Sequence, residues 1–150
     1  MKPLIVLLAS FLFALLTLRV MHGNYETAFA ARIAMSAMLL FTAIAHFAFT
    51  KGMTMMVPPF IPFKELVVYL TGLFEIAAAL GLLIPSVQYL TALMLIIFFI
   101  LLLPANIYAA VKHINYQKGN YDGAGLKYLW FRVPLQIFFI AWLYFAAIKF

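Results

Sequence analysis

The chain has no cysteine. That excludes structural disulfides, CxxC redox chemistry, thiolate metal sites and cysteine nucleophiles together, so any redox role needs a borrowed cofactor. Charge is nearly as scarce. Asp, Glu, Lys and Arg make up 9% of the 150 residues, against 68% hydrophobic ones. Soluble domains are about a quarter charged, and this composition cannot furnish a water-facing surface. Lipid is the solvent it points to. The sequence also lacks a phosphate loop, an HExxH motif, a nucleophile elbow and paired catalytic carboxylates. It lacks the alternation of a β-barrel, an internal repeat, a linker and a second domain. The formal charge is +6, yet the lysines sit at the ends of apolar runs, where basic residues anchor and orient spans. No basic, aromatic-rich groove can be picked out, and nucleic acid is not an expected partner.

What is present is a set of five long apolar runs: 3–21, 28–49, 65–84, 87–111 and 129–148. Each approaches the roughly 20 residues a spanning helix needs, and helices keep backbone groups paired in lipid. The expected fold is an all-α integral membrane protein forming one transmembrane domain over residues 1–150. The first run follows Lys2 as a secretory leader would, but "LTLRVMHGNYE" replaces the small-x-small cleavage site, so it reads as a retained span.

The connections differ in character. "HGNYET" is a short polar loop and "PSVQ" a tight turn. "KHINYQKGNYDGAGLKY" is the one truly polar loop. The apolar stretch 51–64 carries Pro58, Pro59 and Pro62, which forbid a regular helix. It is expected at the membrane interface or dipping back into the protein, where Pro58, Pro59, Phe60 and Pro62 form a candidate lid. Its "MTMM" run reads as an interfacial anchor or an adaptable contact surface. Lys2, Lys51, Lys64, Lys112, Lys118 and Lys127 then share one face, and Arg19, Arg32 and Lys149 the other, which favours the amino terminus inside.

Ionisable groups within spans face the interior and mark function as a default. Here they are His46, Glu75 and Arg132, accompanied by Thr42, Thr71, Asn106 and Gln136. At 1.5 Å of rise per residue, Arg132 lies about 5 Å from the lysine-rich face, His46 about 6 Å and Asn106 about 8 Å. Gln136 lies about 10 Å in and Glu75 about 15 Å in. Thr42/His46, Thr71/Glu75 and Arg132/Gln136 are i, i+4 pairs sharing a helix face. Gly72, Ala78, Ala79 and Gly81 would let a neighbouring helix or a ligand come close to Glu75. Pro104 removes the hydrogen bond to the carbonyl of Ile100 and is expected to kink its helix, with Asn106 nearby as a packing residue or a ligand contact.

Glu75 is therefore expected to point toward Gln136 and Arg132. Its competing reading is a buried pair or a protonated acid that fixes helix register. Arg132 is read either as a site residue or as a snorkelling headgroup contact. His46 is read as a hydrogen-bonding core histidine before a haem or metal ligand with His113, and no metal is expected. Tyr108, Tyr116, Tyr128 and Trp130 fall where an interfacial aromatic belt lies, whereas Trp142 lies deeper and packs.

At these residues the chain resembles the DoxX-like family of small bacterial membrane proteins. "ARIAMSAMLLFTAIAHF" looks like the family's first core helix. "MVPPFIPFKELVVYLTGLFEIAAALGLLIP" is similar to its Pro-x-x-x-Pro loop, Tyr-x-x-Gly-x-x-Glu and Gly-Leu-x-x-Pro pattern. "LPANIYAAV" and "FRVPLQIFFIAWLY" complete the likeness. The resemblance implies a four-helix bundle of spans two to five, with an extra amino-terminal helix, in the bacterial cytoplasmic membrane. It carries interest onto Arg32, His46, Glu75, Asn106, Arg132 and Gln136. The turn "PSVQY" departs from the pattern in lacking arginines, which would have set that turn inside. Family members are associated with quinone-linked oxidation or with oxidoreductase complexes in oxidative-stress defence.

Three functions follow as expectations. The first is a membrane subunit binding a lipophilic, quinone-like molecule, with Thr42, His46, Thr71, Glu75, Asn106, Arg132 and Gln136 lining the site. The second is a small proton-coupled carrier, which the missing inverted repeat disfavours. The third is a scaffold whose polar cluster only locks helices together. Lipid is the expected environment, with a protein partner or a second copy of the chain in a complex. A self-sufficient enzyme is the weakest reading.

Overall fold

Helix-forming residues fill the apolar runs, and turn residues separate them. The computed structural model describes residues 2–149. Its six α-helices are α1 (Lys2–His22), α2 (Thr27–Ala48), α3 (Thr50–Met56), α4 (Lys64–Gly81), α5 (Gln88–Val111) and α6 (Leu129–Leu143). A 3-10 turn (Gly125–Tyr128) leads into α6, and a π-helical turn (Tyr144–Ile148) continues it. The described residues contain no strand, only an isolated bridge between Asn115 and Asn120 in the polar loop. Gly23 ends α1 at φ +77°, with its N–H on the Arg19 carbonyl at 3.0 Å. That is the left-handed conformation in which glycine commonly closes a helix.

The α3 helix departs from expectation. Residues 51–64 were to be irregular throughout, yet 50–56 are helical. All three prolines lie beyond Met56, so nothing before Val57 breaks the helix. Val57 is extended (φ −71°, ψ 126°), as the residue before a proline prefers. Gly52 fastens α3 to the polar loop. A Cβ at that position would lie 1.7 Å from the Tyr116 carbonyl oxygen, so only glycine allows the approach. Pro104 likewise lies inside a continuous α5.

Among the described residues, four helical stretches are long and apolar enough to cross a membrane: Lys2–His22, Thr27–Ala48, Gln88–Val111 and Gly125–Ile148. The sequence led us to expect five. The α4 helix falls short because its 18 residues carry Lys64, Glu65 and Glu75.

The helices α2, α4, α5 and α6 surround one core, and α1 packs along it, contributing Leu7. Leu7, Met35, Met38, Leu39, Leu82, Leu95 and Leu143 are fully buried there. A run of aromatic contacts crosses the bundle from Phe74 to Phe98, Phe99 and Phe139, with centroids 4.8–6.0 Å apart. It continues through Phe138 and Trp142 to Phe11 of α1. Trp142 packs as expected and also donates to the Ala31 carbonyl at 3.0 Å. Arg32 Nη1 donates to the Ala146 carbonyl in the π-turn at 2.8 Å. These two bonds tie the start of α2 to the end of α6.

The helices α2 and α4 approach closely. A Cβ on Gly72 would sit 2.9 Å from the His46 Cβ. Gly72→Ala is expected to lower stability by about 1–3 kcal/mol, as overpacking does, in thermal unfolding of the detergent-solubilised protein. Gly52→Ala should free α3 from the polar loop, seen as faster proteolytic cleavage within residues 112–124 at little change in helix content.

Candidate functional site

Small residues on α4 set the site by bringing its backbone against α2. Gly72, Ala78 and Ala79 are buried on the facing side. The antiparallel register is marked by Ser36 Oγ donating to the Ala79 carbonyl at 2.8 Å. Further along the seam, the i, i+4 pair Thr42/His46 meets the pair Thr71/Glu75. Thr42 Oγ1 lies 3.0 Å from Glu75 Oε2, and His46 Nε2 lies 3.4 Å from the same oxygen. Glu75 retains 4% exposure. His46 Nδ1 is 3.1 Å from the Val68 carbonyl and 3.0 Å from Thr71 Oγ1, whose hydroxyl donates to the same carbonyl at 2.8 Å.

Proton bookkeeping follows from these partners. A carbonyl oxygen only accepts, so His46 Nδ1 carries the proton of its bond to Val68. A carboxyl in an apolar interior is costly to bury without partners, and Thr42 and His46 are the partners Glu75 has here. At 3.4 Å the separation exceeds an ordinary hydrogen bond, so the two atoms stand at ion-pair distance. Thr42 has one hydroxyl proton for two acceptors, Glu75 Oε2 and the Leu39 carbonyl, each at 3.0 Å.

The expected site residues therefore separate into two groups. Thr42, His46, Thr71 and Glu75 come together in the α2–α4 seam. Gln136 joins α6 to α5, its Nε2 3.5 Å from the Phe99 carbonyl, while Asn106 on α5 and Arg132 on α6 make no hydrogen bond to the seam residues. Glu75 pairs with α2 rather than with Gln136 or Arg132. The physical reason is the close approach at Gly72, which brings His46 and Thr42 within reach before α6. Both nitrogens of His46 face partners in the seam, and His113 lies exposed in the polar loop beside Gly125, so the two do not form a shared axial pair here. Of the proposed lid, Pro58 is buried while Pro59, Phe60 and Pro62 are exposed, Phe60 by 81%. In this conformation the loop is an apolar prominence.

One feature was absent from the sequence reading. An open groove of about 410 Å³ runs between α4 and α5, lined by Val67, Leu70, Thr71, Phe74, Ile97 and Leu101 among others. Its walls are apolar except at Thr71, whose hydroxyl touches His46. The i, i+3/i+4 spacing of these residues on each helix could have located it.

Residues 35–147 match the model of a family described as a domain of unknown function, DUF8561. The chain belongs to this family. The match takes in every residue of both polar groups and leaves α1 outside it. No curated protein and no solved structure matches the chain.

A double-mutant cycle tests the seam. His46→Leu alone should cost about 3–5 kcal/mol, because it leaves the Glu75 carboxyl buried without its imidazole. His46→Leu with Glu75→Leu should cost less than His46→Leu alone, as read by reversible unfolding in detergent.

Proposed function

We propose that the chain is a multi-pass membrane protein that binds a lipophilic, carbonyl-bearing small molecule of the quinone class in the α4–α5 groove. The carrying observation is the opening of the Glu75–His46–Thr71 chain onto that groove at Thr71. Apolar walls around a single polar point are the usual recipe for such a site, and about 410 Å³ falls within the range of roughly 300–1,000 Å³ for small-molecule pockets. A membrane setting is supported by large apolar side chains turned outward on several helices, among them Phe13, Val20, Leu101 and Ile137. In this reading α4 spans with the four longer stretches, and its one buried acid is compensated by His46. The lysine-rich side holds the amino terminus and faces the cytoplasm of a bacterium. The DoxX-like resemblance supports a subunit role beside an oxidoreductase rather than a self-sufficient enzyme.

The residues fit a quinone in specific ways. Thr71 can turn its hydroxyl from the Val68 carbonyl to a ligand carbonyl in the groove. His46 stays oriented by Val68. The His46–Glu75 pair lies a turn deeper, buried from water. Leu70, Ile97 and Leu101 supply apolar contact for a ring or tail. A bound quinone would supply reversible two-electron, two-proton chemistry.

A second reading has its own observation. Thr42, His46, Thr71 and Glu75 all find partners within the seam, as a purely structural helix lock would. Native mass spectrometry from lipid nanodiscs, with a short-tailed benzoquinone added, separates the two. Wild type should retain one quinone. Thr71→Val and Glu75→Gln should each lower its occupancy by about tenfold, equivalent to roughly 1.4 kcal/mol. Equal occupancy in folded Glu75→Gln and Thr71→Val, or none on wild type, would leave the structural lock as the function of the seam.

A further inference from the structure

Two donors, one on α5 and one on α6, lack acceptors. Asn106 Nδ2 and Arg132 Nε are occluded and make no hydrogen bond, although the Arg132 residue as a whole is only half-buried. Asn106 is 3% exposed. Among the described residues the ion pairs are His22–Glu26 and His46–Glu75, so no carboxylate answers the charge of Arg132. Buried donors are ordinarily paired, and each exception calls for an explanation. A guanidinium and an amide N–H share one complement, an oxygen acceptor carrying negative charge.

The two residues lie at one level of the bundle. The Gln136–Phe99 contact fixes the antiparallel register of α5 and α6. Arg132 is one turn before Gln136, and long helical side chains lean toward their helix amino terminus. Its guanidinium thus extends toward the level of Asn106, seven residues after Phe99. A cavity of about 290 Å³ lies about one turn further toward the polar loop, walled by Met56, Ala109, Ala110, Tyr116, Gly125 and Tyr128 and not by Asn106 or Arg132 themselves. Ala109 and Ala110 follow Asn106 by one turn, and Tyr128 precedes Arg132 by one turn. The cavity lies at the lysine-rich end, with Lys112, Lys118 and Lys127 exposed on the flanking segment.

We propose that Arg132 and Asn106 form a phosphate-recognition site, taking the phosphodiester of an anionic lipid headgroup. The Arg132 fork matches two phosphate oxygens, and the Asn106 amide donates to the same group. A free phosphate shares this chemistry. The lipid source rests on the membrane reading above; the anion site itself does not depend on any ligand in the α4–α5 groove.

The test is native mass spectrometry of the full chain released from nanodiscs of mixed phosphatidylglycerol and phosphatidylcholine. Wild type should keep one phosphatidylglycerol in preference to phosphatidylcholine. Arg132→Met should cut that occupancy at least tenfold and Asn106→Leu several-fold, whereas Lys112→Gln/Lys127→Gln should leave it unchanged. Arg132→Lys keeps the charge but loses the fork, so it should also bind more weakly, and it carries the test if Arg132→Met fails to fold. Displacement of the lipid by millimolar inorganic phosphate, with a matching gain in thermal stability of wild type, would assign the site to a soluble phosphate. Resistance to phosphate would assign it to the lipid. Equal retention of both lipids by wild type, with no stabilisation by phosphate, would overturn the proposal. So would unchanged retention in both Arg132 variants.

Discussion

A carboxyl group surrounded by hydrocarbon has no water to fall back on, and Glu75 meets that constraint through one neighbouring helix. Its partners, Thr42 and His46, sit a turn apart on α2 and reach it because Gly72 removes the side chain that would hold the helices apart. Much of the arrangement follows. Ser36 and Ala79 continue the seam in the same register. Val68 and Thr71 orient the imidazole from the other direction. Since α4 is committed to α2 on one side, its packing against α5 is looser, and the groove opens there.

That commitment also separates the polar residues by chemistry. The α2–α4 group joins the buried acid Glu75 to Thr42 and His46. The other group has Arg132 with the amides of Asn106 and Gln136, and among the described residues no carboxylate pairs with Arg132. A bundle that mixed the two groups would have joined Arg132 to Glu75 and left His46 to packing. The observed division keeps the carboxyl and imidazole together in one seam and the guanidinium apart from them on α6.

The helical segments were legible in the sequence because length, hydropathy and turn residues agree there. The runs 3–21, 28–49 and 87–111 match α1, α2 and α5 within one or two residues. The i, i+4 pairs and the small residues around Glu75 were legible too, since a helix face is a local property. Which helix those faces would meet was not. Depth placed Glu75 nearer Gln136 than His46, and the close approach at Gly72 overrides it in favour of His46. The short α3 helix was not legible, because the prolines of the 51–64 stretch mark it as non-helical while they all lie beyond Met56. The α4–α5 groove is a consequence of helix spacing, which no single segment encodes.

The α4–α5 hairpin is pinned at one end. At its turn, a Cβ on Gly81 would lie 2.5 Å from Thr91 Oγ1, so glycine is what lets the two helices close together there. Thr71 lies ten residues up α4, about 15 Å away along the axis. The helices therefore splay from a tight end at Gly81 to an open one at Thr71, and the Phe74–Phe98 ring contact bridges them along the way.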